Sequence, residues 1–306
     1  MITKGGNTMK KLFLFLVGLS LTYNAVAEPI CQNTDSIAYE RCMIDSIAIQ
    51  LGQSRYNYAI DLLNTYEEWY KSQKRTDVKS LGRIYSNRAA INYMKGNYES
   101  SLADYENALK LYESSQDTES AIETLVNKGV VIASMNRYEE ATKIIEKAEE
   151  YYRKNNKMID LSDVLFTKGI IYFFDNRLNE ALVSFSESSK LYLKNNLKIR
   201  YLLAQVLQGI MKAKLGEFKE AMYLCQENIL ASSLKYYCIA LANDGIGKRD
   251  EAKIYFEKAI SRIDSKINNT LQNNDEKAAQ ALSEKYAPIF TDYMLFMLRN
   301  SIKSVQ

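Results

Sequence analysis

Histidine is absent from this chain of 306 residues, and proline occurs twice, at Pro29 and Pro288. The first absence excludes serine or cysteine triads built on imidazole, histidine metal sites and histidine acid-base catalysis. The second leaves most of the chain free of helix breakers, and alternating strand-like runs are also missing, so the sequence predicts an all-α protein. The twelve glycines are scattered, so no phosphate-cradling loop forms and no cofactor motif is found. Paired acids such as Glu67–Glu68 and Glu139–Glu140 stand beside lysines on polar helix faces and read as solvated surface. These exclusions point to binding rather than catalysis.

What the chain has instead is a period. Gly96, Asn136, Asn176 and Gly216 fall 40 residues apart, and glycine and asparagine most readily adopt the left-handed conformation that ends a helix. Seven residues before each turn sits a small residue: Ala89, Gly129, Gly169 and Gly209. Five residues after it comes another: Ser101, Ala141, Ala181 and Ala221. Tyr98, Tyr138, Leu178 and Phe218 hold the entry to each second helix, and Tyr105, Ile145, Phe185 and Cys225 fill the gap. The unit is an antiparallel helix pair, small at its crossing, too thin to bury its apolar stripe alone, so copies must stack. Residues 40–73 form a degenerate first copy, turning at Ser54, with Tyr56, Ala59, Leu63, Tyr66 and Trp69 in phase. A last copy follows around Gly247; its spacing of 31 from Gly216 predicts a short connector, and about six repeats span 40–263.

This order of small residue, turn and second-helix alanines resembles the tetratricopeptide repeat family, strongly over residues 82–231. The resemblance implies a right-handed superhelical solenoid whose first helices line a concave groove. The family period is about 34 residues, so the extra residues are expected to lengthen helices. On the groove face fall Asn87 and Tyr93, then Asn127, then Phe166, Phe173 and Phe174. The SNRAA sequence around Asn87 is similar to chaperone-adaptor members, where this asparagine helps hold a peptide's terminal carboxylate. The basic residues completing that clamp are not matched, since Glu123 and Asn127 stand in the next unit. The two amides and four aromatic side chains therefore predict a groove for an extended peptide or a partner protein.

Lys10 and Lys11, the apolar run Leu12 to Leu21, and Ala25-Val26-Ala27 have the order of an export signal cleaved near Ala27. Ten apolar residues fall short of the ~20 needed to span a membrane. Removing residues 1–27 takes away Lys4, Lys10 and Lys11 and no acid, so 40 basic and 37 acidic residues become 37 of each. A neutral chain argues against nucleic acid as a partner. Export to the periplasm or beyond makes Cys31–Cys42 and Cys225–Cys238 natural local disulfides. The alternative for Cys225 is a buried free thiol; the wide spacings argue against a metal site.

Residues 28–39 read as an N-terminal segment and 264–306 as C-terminal capping helices, with a polar joint at 264–274, a start at Asp275 and a break or kink at Pro288. The apolar face of Ile289, Phe290, Tyr293, Met294, Met297 and Leu298 fits a cap, a dimer surface or a segment reaching a partner. Two readings follow: an exported scaffold recruiting a protein of the cell envelope, or a receptor for a small secreted peptide. The second rests on the similarity of 40-residue units to those of bacterial peptide-sensing regulators.

Overall fold

The computed structural model describes residue 31 and residues 36–53, 55–73, 78–230, 232–273 and 275–303. The expected export signal and the turn at Ser54 lie outside the described residues. Among these, thirteen helices and no strands occur. They are α1 Ser36–Gly52, α2 Tyr56–Ser72, α3 Val78–Met94, α4 Tyr98–Ser114, α5 Thr118–Ser134, α6 Tyr138–Lys154, α7 Met158–Phe174, α8 Leu178–Lys194, α9 Lys198–Lys214, α10 Phe218–Gln226, α11 Ser233–Gly245, α12 Arg249–Gln272 and α13 Glu276–Lys303. The protein is all-α, a solenoid of antiparallel helix pairs.

From α3 to α9 the metric is strict: every helix has 17 residues and every connector three. The four turn residues are left-handed as expected, with φ of 75° at Gly96, 61° at Asn136, 58° at Asn176 and 87° at Gly216. Gln116, Asn156 and Asn196 adopt the same conformation midway between them. Two 17-residue helices and two such connectors thus fill the forty-residue unit, and the residues beyond the usual period go into the helices.

The chain divides into two compact units, residues 1–137 with 269–281 and residues 138–268 with 282–306. In the first, Tyr56, Ala59, Leu63, Tyr66 and Trp69 enter one core with Tyr39, Met43 and Ile47 of α1 and Ile84 and Ile91 of α3. The degenerate first copy therefore packs as a repeat. Its leading end is tied by the Cys31–Cys42 disulfide, with Cα atoms 5.6 Å apart. At the α3–α4 crossing the small positions touch, Ser101 Oγ donating to the Ala89 carbonyl at 2.8 Å. Arg88 of α3 reaches both neighbouring helices, Nη1 to Glu67 Oε2 at 2.5 Å and Nη2 to Asp104 Oδ1 at 2.8 Å.

In the second unit the small positions make room for rings and sulfur. A Cβ on Gly169 would lie 2.7 Å from the Phe185 ring, and one on Gly209 would lie 2.4 Å from Cys225 Sγ. Cys225 and Cys238 are bonded, their Cα atoms 6.3 Å apart. A buried cluster joins successive repeats: Tyr192 donates to Asp163 Oδ1 at 2.8 Å, and Arg200 Nη1 donates to Asp163 Oδ2 at 2.6 Å.

Three expectations about the later part of the chain change. The 31-residue spacing does not come from a short connector. Instead α10 stops after nine residues, and six residues separate it from α11. Buried Asn228 stabilises this early exit, donating to the Leu202 carbonyl at 2.6 Å and accepting from the Leu230 amide at 3.0 Å. The polar stretch 264–274 is no joint as far as Gln272, because α12 continues to that residue; it holds no glycine or proline, and Thr270 is buried. Asp275 does open α13, its Oδ1 accepting from the Ala278 amide at 3.2 Å, but Pro288 lies inside that helix. Tyr286 and Ile289 on either side are buried, and this packing carries the helix through a residue that costs about 3 kcal/mol in an isolated one. The first helix starts at Ser36, inside the segment expected to precede the repeats.

Candidate partner-binding faces

In the first unit the expected groove residues lie on α3 and α5, two helices that the strict metric brings into register at buried side chains. Ser86 Oγ and Thr124 Oγ1 lie 3.3 Å apart across the two helices. At the C-terminal ends of the same helices, Ser134 Oγ donates to the Tyr93 oxygen at 3.2 Å. Asn87 and Tyr93 are half-buried, whereas Asn127 is only 3 % exposed. Solvent, and hence a ligand, reaches Asn87 more readily than Asn127. Burial pushes the Tyr93 phenol up to about 12, so at neutral pH it keeps its proton and can donate. Beside the exposed Arg83 and the buried Glu123, these amides and hydroxyls are groups able to bond the backbone of an extended segment.

In the second unit α7 carries Thr167 at the position of Asn87 and Asn127 and Phe173 at that of Tyr93. Phe173 and Phe174 pack with ring centroids 5.3 Å apart, and Phe174 stays 41 % exposed. Phe166 does not join them. It is fully buried, its ring 5.4 Å from Phe185 and 6.3 Å from Tyr192. Its assignment to the groove is corrected: the space left by Gly169 draws Phe185 inward, and Phe166 completes that core. The four cysteines serve two disulfides and not a ligand site.

Sequence reasoning stopped short of α9 and α11. Lys214 stands one forty-residue step beyond Phe174, and Asp244 precedes its turn glycine by the same three residues as Tyr93 and Phe173 precede theirs. Extending the phase would have found both. A second missed series is Tyr112, Tyr152 and Tyr192, 40 apart in sequence and all buried. Among the described residues no group of three or more acidic or cysteine side chains is placed to hold a metal ion. None of the described helices is long and apolar enough to cross a membrane.

Family models described as tetratricopeptide repeat match residues 80–154 and 236–265. A tetratricopeptide repeat protein from Parabacteroides merdae is similar in structure, with a TM-score of 0.54 at 15 % identity, covering 92 % of this chain and 99 % of that one. Over those two stretches the chain carries tetratricopeptide repeats, and the likeness in structure extends that fold along the chain. Other solved repeat structures share the fold. The Rap conjugation regulator of plasmid pLS20, in complex with the Phr* peptide, gives a TM-score of 0.60 at 11 % identity over 95 % of this chain and 87 % of that one. NprR with its cognate peptide NprX gives 0.57 at 12 % identity over 96 % and 87 %. No curated protein matches in sequence.

Proposed function

We propose that this tetratricopeptide-repeat protein is an exported scaffold that binds an extended segment of another protein, and that it works in the cell envelope. Asn87 and Tyr93, with Asn127 behind them, receive the segment's backbone. Phe173 and Phe174 select apolar side chains. The observation that carries the reading is the chemistry each unit presents by itself: half-buried Asn87 and Tyr93 on α3 in the first, and Phe173 packed against exposed Phe174 at the end of α7 in the second. Export is supported by the leader-like residues 1–27 and by two disulfides, which persist in oxidising compartments.

The test pairs Asn87→Ala with Asn127→Ala in the folded protein and measures affinity for a partner captured by crosslinking from position 174 in intact cells. A tenfold or larger loss is expected; unchanged affinity would sink the assignment. A second reading, a receptor for a small secreted peptide, is favoured by the likeness to Rap and NprR in their peptide complexes. Compaction on adding short peptides, followed by small-angle scattering, distinguishes it from a scaffold.

A further inference from the structure

The inner positions of α9 and α11 are already in use. Lys214 Nζ pairs with Asp292 Oδ2 of α13 at 2.7 Å, and the Tyr237 hydroxyl donates to the same oxygen. Two turns further along α13, Arg299 Nη2 meets Asp244 Oδ2 at 2.6 Å. Counted from their turn glycines, Lys214 and Asp244 occupy the positions of Phe174 and Phe173 one and two repeats earlier, whereas buried Tyr237 holds the core position of Phe166. Between the two polar contacts, Phe296 lies 5.2 Å and Tyr293 5.6 Å from the Phe256 ring of α12. Asp292, Phe296 and Arg299 are spaced i, i+4 and i+7, one face of a helix. That is the spacing by which amphipathic helices dock in grooves.

The two groups that meet Asp292 lie side by side. The Lys214 ammonium sits 5.9 Å from the Tyr237 ring centroid, so both donors converge on one point. Burial and the nearby Asp292 charge push the Tyr237 phenol well above its ordinary range, which keeps it a donor. A plain cap would need only the apolar contacts. Here a charge-assisted pair and a hydroxyl are matched to one carboxylate, and a carboxylate of opposite polarity, Asp244, is matched to an arginine.

We infer that Lys214 of α9, backed by the buried Tyr237 hydroxyl, forms a carboxylate-receiving site in the second unit, and that Asp292 of α13 is its resident occupant, holding the place of a partner helix. The partner class follows from the occupant: an amphipathic helix with an acidic residue, an aromatic residue four positions on and an arginine seven positions on. Such a helix competes with α13, so binding is self-limited by the chain's own C-terminal segment. The inference is independent of Asn87 and Asn127.

The experiment titrates a fluorescein-labelled synthetic peptide of residues 286–303 into the full-length protein and reads anisotropy. Asp292→Ala, which loosens the resident helix, is expected to bind the peptide at least tenfold more tightly than the unmodified chain. Adding Lys214→Met, or replacing the peptide's own aspartate by asparagine, is expected to abolish that gain. The isosteric Asp292→Asn gives the same reading with less disturbance, and hydrogen exchange over 286–299 reports whether the resident helix has loosened. Equal peptide binding by unmodified and Asp292 variants overturns the inference, as does a gain that survives Lys214→Met. Destabilisation without any binding in trans also overturns it, because a mere cap predicts that result. Asn87→Ala with Asn127→Ala leaves this readout unchanged, which separates it from the groove reading above.

Discussion

Arg88 in the first unit and Arg200 in the second each tie consecutive repeats together, but they are served in opposite ways. Arg88 divides its bonds between Glu67 on α2 and Asp104 on α4, and its side chain keeps 18 % exposure. Arg200 aims Nη1 at both oxygens of Asp163, with the two side chains 9 % and 4 % exposed. The first arrangement is redundant and partly wet; the second concentrates its charge in a dry place. A repeat fold can therefore join its copies with similar chemistry and very different tolerance to loss, because the penalty for an unpaired charge rises with burial.

Breaking the two networks should expose that difference most directly. Asp163→Ala is expected to destabilise the protein by roughly 3 to 5 kcal/mol, since it strands a buried guanidinium. Asp104→Ala, which leaves Arg88 its bond to Glu67, is expected to cost about 1 to 2 kcal/mol. Urea denaturation of both variants checks the contrast, and equal losses would contradict it. Replacing the buried pair by Asp163→Leu with Arg200→Met should recover most of the first loss.

The disulfides offer a comparison in which the units ought to agree. The bonded cysteines are 11 residues apart in the first unit and 13 in the second, so by chain entropy each closure contributes about 3 kcal/mol. Cys225→Ala with Cys238→Ala, set beside Cys31→Ala with Cys42→Ala, should give similar drops in denaturation midpoint. A much larger drop for the second pair would show that the sulfur packing over Gly209 contributes beyond the cross-link.

The smallest expected effect is on acid stability. Burial raises the Glu67 carboxyl, but the bonds from Lys71 and Arg88 outweigh it and hold the group below its ordinary value of 4.5. Glu149 behaves likewise, burial being outweighed by Lys168 and Arg153. A carboxyl depressed in the folded state stabilises fully above its unfolded pKa and loses that contribution as pH falls through the folded one. Stability should hold down to about pH 4.5 and decline below it, with Glu67→Gln and Glu149→Gln each flattening the decline. Thermal melts between pH 6 and 3 give the test.

The fold was legible wherever the backbone made a demand only certain residues meet. Left-handed turns at Gly96, Asn136, Asn176 and Gly216 set the phase, and the small residues at the crossings followed from it. What escaped depended on packing rather than pattern. Nothing in the sequence marks Gln226 as the end of α10, because the exit is held by Asn228 bonding to a carbonyl 26 residues away. Of the two expectations for Pro288, a break or a kink, the break does not occur, because burial on both sides carries the helix through it. At the candidate site, Tyr93 and Asn87 are half-buried, while Phe166 lies in the core because Phe185 fills the space across Gly169 and packs against it. The Lys214–Asp292 contact joins residues 78 apart, a separation that no local pattern reveals.

The three-residue connectors also limit how such a chain can change over evolutionary time. Each consists of one helix's last cap, a left-handed residue and the next helix's first cap, so it contains no slack to absorb an insertion. One residue added within a helix rotates everything beyond it by about 100°, turning crossing residues outward and surface lysines inward. Divergence by small insertions is thereby closed to residues 78–214. Duplication of a whole forty-residue block, which restores every face, remains open.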